Sequence, residues 1–130
     1  MTIGQQTFDA IILPEVVNYA QTYFNDPLIT KVPLENDGGS GSMGSHWEKT
    51  FMPLEFMNAT IESPGIISEF TLTLLRATGW YQIPANAAQV YDWGKDDGPD
   101  HFKICPKGRE YCEASQKDKN MCSHDNQNKA

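Results

Sequence analysis

The stretch Gly38-Gly39-Ser40-Gly41-Ser42-Met43-Gly44-Ser45-His46-Trp47-Glu48-Lys49 ends a glycine- and serine-rich run on a histidine, and Met57 follows eleven residues after that histidine. By composition the run reads as a flexible linker. Its ending argues otherwise, because an indole beside the histidine gains from burial, and a buried Trp47 would pin the loop at His46. By residue type alone His46 is a hydrogen-bonded loop histidine, since zinc takes four donors and the sequence displays one plausible donor.

Two helices flank this loop. From Pro14 to Asn25 the apolar residues Val16, Val17, Ala20, Tyr23 and Phe24 make one stripe, with proline in the first turn and Pro27 ending the segment. A second helix is predicted over Ser68 to Thr78. Ser68 serves as its N-cap, Glu69 sits at the positive end of its dipole, and Gly79 takes the left-handed C-terminal position. Phe70, Leu74 and Ala77 share one face, and Leu72 and Leu75 broaden it toward full burial. Trp80-Tyr81-Gln82-Ile83 reads as a short strand or extended segment before Pro84. From Lys95 onward the chain turns polar, which places a boundary there. No internal repeat is apparent.

Composition narrows the function. The 130 residues carry a net charge of −7 with 39% apolar and 21% charged side chains, which is globular rather than disordered. A mean hydropathy of −0.51 fits a loop-rich chain. Without a basic cluster, a nucleic acid or an anionic membrane surface is excluded as partner. No apolar run approaches the ~20 residues that span a bilayer, and the first residues do not form a signal peptide. Cys105, Cys112 and Cys122 fall in the polar tail without a CxxC pair. Their odd number means that a partner cysteine lies elsewhere or that the thiols are reduced.

Few residues carry chemistry. The histidines are His46, His101 and His124, with no pair at i, i+4 and no HExxH. A GxSxG elbow and a P-loop are absent and no GxGxxG follows a strand, so acyl-transfer, phosphate and dinucleotide chemistry lack a footing.

From Pro14 through Gly94 the chain resembles the region of leishmanolysin-like peptidases that follows their HExxH helix. The match rests on Leu34-Glu35-Asn36, Gly38-Gly39-Ser40-Gly41, Gly44-Ser45-His46-Trp47-Glu48-Lys49 and Glu55-Phe56-Met57. It continues through Thr71-Leu72-Thr73-Leu74-Leu75, Gly79-Trp80-Tyr81 and Trp93-Gly94. The resemblance implies a metzincin, in which two histidines of HExxH and a third beyond it hold Zn2+ and the glutamate is the general base. His46 is then the third zinc ligand, and Met57 is the Met-turn residue beneath the site. Trp47 anchors the loop, and Glu48 is a candidate for orienting the imidazole, with a solvated charge as the alternative. His101 and His124 match no ligand and are read as surface residues. Asn58-Ala59-Thr60 is a glycosylation sequon that its place after the Met-turn could bury.

The expected architecture is therefore α+β, the C-terminal subdomain of a metzincin-type zinc peptidase, loop-rich with two main helices and short strands. Residues 1–95 would form the subdomain and 96–130 the start of a cysteine-rich C-terminal domain. The expected function is that of a piece of a zinc metalloendopeptidase acting on proteins or peptides. Cell-surface or extracellular placement and membrane association would belong to full-length relatives. Since HExxH is not in this sequence, the alternative is a catalytically inactive remnant or a surface adhesion or binding protein.

Overall fold

A computed structural model of the chain describes residues 1–60 and 65–103. Cys105, Cys112, Cys122 and His124 lie outside the described residues. In order, the elements are β1 (Thr2–Ile3), β2 (Gln6–Thr7), β3 (Ala10–Ile11), α1 (Pro14–Phe24), β4 (Val32–Pro33), α2 (Glu69–Ala77) and a 3-10 turn at Gly98–Asp100. β1 pairs antiparallel with β2, and β3 pairs antiparallel with β4 with Ala10 opposite Pro33. The fold is thus α+β and loop-rich, with two helices and short strands.

α1 forms where the stripe of apolar residues demands it. Pro14 occupies the first turn, and Val16, Val17, Ala20, Tyr23 and Phe24 are all buried. The helix stops because Asn25 turns left-handed at φ 56° and its amide and that of Asp26 return to the last carbonyls. α2 starts at Ser68, whose side chain accepts the Phe70 amide at 3.2 Å. Only its first turn is fully buried, at Phe70, Thr71 and Leu72. Leu74, Leu75 and Ala77 are half-covered rather than approaching full burial; the ring contacts from Tyr19, Tyr23 and Phe24 of α1 fall on Phe70 in the first turn. Arg76 on the other side pairs with Glu69 and donates to the Ile83 and Pro84 carbonyls. That ties residues 80–84 to the helix as an unpaired extended segment, not a strand, with Trp80 and Tyr81 exposed.

The core between the helices is aromatic. Phe70 meets Tyr19 at 4.7 Å and Tyr23 at 5.0 Å edge-on, and lies 6.3 Å from Trp47. Edge-to-face pairs place ring edges against π faces, which adds to area burial. Burial, and then the charge of Glu69, push the Tyr19 phenol up to about 12. Trp47 and Phe70 are fully buried, so truncating either to alanine would cost about 3–5 kcal/mol.

His101 is not a surface residue. It is 1% exposed, stacks on Phe24 at 4.0 Å, lies 3.1 Å from Asp97 Oδ2 through Nδ1, and donates through Nε2 to the Phe51 carbonyl at 3.0 Å. The polar sequence around it concealed this. A residue in a short turn that meets the end of α1 has no periodicity to announce its burial. Contacts with the core therefore run past residue 95 to Phe102, which meets Phe24 and Phe51 edge-on.

Candidate functional site

The glycine-rich run is a closed loop. Its two ends meet where the Glu35 amide donates to the His46 carbonyl at 2.9 Å and Leu34 bridges Trp47 antiparallel. The Gly44 amide donates to the Glu35 carbonyl at 2.9 Å within it. Such a loop packs against itself rather than acting as a tether. Gly44 suits its place because its φ is 70°, a left-handed backbone that glycine adopts without strain; a Cβ there would also push the exposed Asp9 carboxylate, 2.8 Å away, aside.

On its other side, the His46-Trp47 segment is held by the chain around Met57. Trp47 donates its amide to the Met57 carbonyl at 3.1 Å, Trp47 bridges Asn58 in parallel, and Asn58 Nδ2 donates to the Trp47 carbonyl at 3.3 Å. His46 and Met57, eleven residues apart in sequence, thereby wall one cleft of about 520 Å³ together with Glu55, Phe56, Asn58 and Thr71. Phe56 stands exposed at its rim.

The imidazole is oriented by its own loop. His46 Nδ1 lies 3.1 Å from the Ser42 carbonyl and 3.0 Å from Ser45 Oγ. A carbonyl only accepts, so the bond to Ser42 requires Nδ1 to carry the proton. Ser45 gives its own hydroxyl proton to the same carbonyl at 3.2 Å. In the neutral ring the lone pair is then on Nε2, which bonds to nothing else among the described residues. This is the state in which a histidine ligates a metal: one nitrogen fixed by a carbonyl, the other free to donate electrons.

One fitting donor is not a complete site. Among the described residues no group of three or more His, Cys, Asp or Glu is placed to hold a metal, and a tetrahedral zinc needs four ligands. An ion at His46 would take its other donors from outside this set.

Glu48 is buried rather than solvated, at 4% exposure. Its Oε1 accepts the Thr50 amide at 3.0 Å, and its Oε2 has no partner. It lines a different cleft, of about 560 Å³, with Glu35 and Asp37, and makes no hydrogen bond to His46. The residues to which sequence reasoning gave no role in the cleft are Glu55, Thr71 and Asn58. Glu55 is 2% exposed; its Oε1 accepts from Ser68 Oγ at 2.8 Å, the Ser68 amide at 3.1 Å and Thr71 Oγ1 at 2.6 Å. Its Oε2 accepts the Met57 amide at 2.5 Å. A carboxylate standing two residues before Met57 between Leu54 and Phe56 was the only signal in the sequence.

The leishmanolysin family model matches residues 3–126. The chain belongs to the leishmanolysin family of metallopeptidases. It is 33% identical over 90 residues to the leishmanolysin-like peptidase of Drosophila pseudoobscura, covering 69% of this chain and 13% of the fly protein. To the leishmanolysin-like peptidase of Caenorhabditis briggsae it is 36% identical over 96 residues, 73% of this chain and 14% of that one. It is likewise 36% identical over 92 residues to the leishmanolysin homolog of Crithidia fasciculata, covering 71% and 14%. The chain therefore spans about one-seventh of the length of these curated relatives. Among the described residues of this family member, no helix is long and apolar enough to cross a membrane.

The leishmanolysin sequon Asn58-Ala59-Thr60 is occupied by the fold itself. Asn58 is 5% exposed and its Nδ2, the nitrogen a glycan would need, is bonded to the Trp47 carbonyl. Expression through a eukaryotic secretory pathway should yield Asn58 without glycan. Intact-mass analysis before and after glycosidase treatment checks this, and a glycan at Asn58 on folded protein would contradict the buried amide.

Proposed function

We propose that this chain supplies the third zinc ligand, His46, of a leishmanolysin-type endopeptidase that hydrolyses protein or peptide substrates, with Met57 as the Met-turn residue beneath the metal. The observation that supports this reading most is the state of His46: Nδ1 is committed to Ser42, leaving the Nε2 lone pair for a metal, in a cleft that Met57 walls. When bound, zinc would polarise the scissile carbonyl and lower the pKa of a bound water. This chain's own part is to present one nitrogen without a rotamer search and to keep the loop closed through Glu35 and Trp47. Trp47 acts by burial. Glu48 acts on the turn at residues 48–52, whose amides its side chain and carbonyl accept.

The reading extends to the rest of the molecule. Residues 1–95, with the packing that continues to Phe102, carry the zinc-site subdomain, and the chain beyond opens a cysteine-rich domain. Family membership favours a cell-surface or extracellular setting, with membrane association a property of full-length members.

A chimera tests it. Residues 3–103 of this chain, placed in the C. briggsae leishmanolysin-like peptidase in exchange for its matching segment, should give chelator-sensitive peptide hydrolysis. A folded chimera without activity would favour the inactive remnant or surface-binding alternative. The 130-residue chain by itself should retain less than stoichiometric zinc after dialysis and cleave no casein. Stoichiometric metal by elemental analysis would mean that the chain completes a site of its own.

A further inference from the structure

Trp47, Thr71 and Glu55 form one hydrogen-bonded chain behind His46. The Trp47 indole donates to Thr71 Oγ1 at 2.8 Å, and Thr71 Oγ1 lies 2.6 Å from Glu55 Oε1. The polarity is forced: an indole N–H can only donate, so the single hydroxyl proton of Thr71 goes to Glu55. Glu55 Oε2 at the other end takes the Met57 amide. All three side chains are buried, and the carboxylate sits at the N-terminus of α2, where the amides of the first turn favour negative charge.

We propose that Glu55 is the positioning residue of the His46 site: through Thr71 it fixes the Trp47 ring, and through its second oxygen it fixes Met57, so that one carboxylate holds both sides of the metal-binding cleft. The peptide between His46 and Trp47 is gripped from both flanks. Its His46 carbonyl accepts the Glu35 amide, while the Trp47 amide and carbonyl bond to Met57 and Asn58. Trp47 is fully buried against Phe70, so losing the Thr71 bond forces the ring to repack, and the strain of that repacking is passed to the peptide it shares with His46 and so to the His46 Nδ1–Ser42 bond. Glu55 lines the cleft, but both of its oxygens are spent on protein donors. Its effect is exerted on His46 through the three contacts just given.

The assignment of His46 as a ligand rests on the proposed function, but the positioning chain can be read without metal. In the 130-residue chain, long-range 1H–15N correlation reports which nitrogen of His46 carries the proton. Wild type should show the Nδ1–H form. Thr71→Val removes the hydroxyl and keeps the shape, and it should lower the Nδ1–H to Nε2–H ratio at least ~threefold by weakening the His46–Ser42 bond, which as one net hydrogen bond is worth about three- to tenfold. The Trp47 indole proton should exchange faster by a similar factor. Glu55→Gln turns an amide toward the Met57 N–H and should shift the ratio in the same direction. Thr71→Ser, which restores the hydroxyl, should return both readouts to wild type.

General destabilisation does not change the tautomer of the folded state, so a purely structural role predicts no shift. A wild-type ratio in folded Thr71→Val overturns the proposal, as does a Thr71→Ser variant that shifts as far as valine. Should the chimera stay active with His46→Ala, the metal assignment falls, while the tautomer result still decides the positioning chain.

Discussion

Replacing His46 by alanine in the chimera described above should lower kcat/KM by more than ~100-fold while leaving the folded state close to wild type. Removing a group that merely orients a zinc ligand costs 10–100-fold, and removing the ligand itself must cost more. Stability should move little because His46 is only half-buried, on a loop whose closure depends on backbone bonds from Glu35, Leu34 and Trp47 rather than on the ring. The two readouts separate the roles: peptide hydrolysis under chelator control reports the site, and thermal unfolding reports the scaffold. Retained turnover in a folded His46→Ala chimera would remove His46 from the metal. Equal losses of turnover and stability would make it a scaffold residue.

Among the glycines Gly38, Gly39, Gly41, Gly44, Gly79, Gly94 and Gly98, Gly94→Ala should be the most damaging. Gly94 has φ 69°, and a Cβ there would stand 2.1 Å from Cε1 and 2.5 Å from Nδ1 of His101. The His101 ring cannot move aside cheaply, since it is stacked on Phe24 and held by Asp97 and the Phe51 carbonyl. The left-handed backbone adds about 1 kcal/mol for a non-glycine residue, and expelling the ring leaves a cavity and an unpaired buried carbonyl, each worth ~1–3 kcal/mol. The total is about 3–7 kcal/mol, which at ~4–8 °C per kcal/mol lowers Tm by at least ~12 °C for a body of this size. A double-mutant cycle isolates the cause: with His101→Ala already present, the same Gly94→Ala change should cost only about 1 kcal/mol, the backbone term. An equal cost in both backgrounds would mean that the ring is not what the methyl meets.

The helices were legible in the sequence because everything they need is local. The stripe from Val16 to Phe24 repeats within three turns, and Ser68 caps the helix that begins beside it. The His46–Met57 spacing was legible too, since the family resemblance places both in one site and a single bond from Trp47 to Met57 joins them. His101 was misread because it is a polar residue in a polar stretch whose burial is imposed by segments far away in sequence, whereas Glu48 is drawn in beside the buried Trp47 by a local turn that takes its side chain. His101 bonds to Phe51 across fifty residues. Glu55 was legible only as part of the block Glu55-Phe56-Met57, since three of its four donors come from Ser68 and Thr71, which nothing near residue 55 announces.

The sequence by itself determined the two helices and their ends, the glycine run that can fold back on itself, and the family to which His46 and Met57 belong. Tertiary structure alone decided that the run closes between Glu35 and His46, and that Nδ1 rather than Nε2 is spent on Ser42. It decided as well that Gly94 makes room for a buried His101, and that Glu55 lines the cleft. Periodicity, caps and left-handed turns are settled by energies within a few residues of each other. The partner of a buried polar group is settled only when packing brings distant donors and acceptors together and makes leaving any of them unpaired costly.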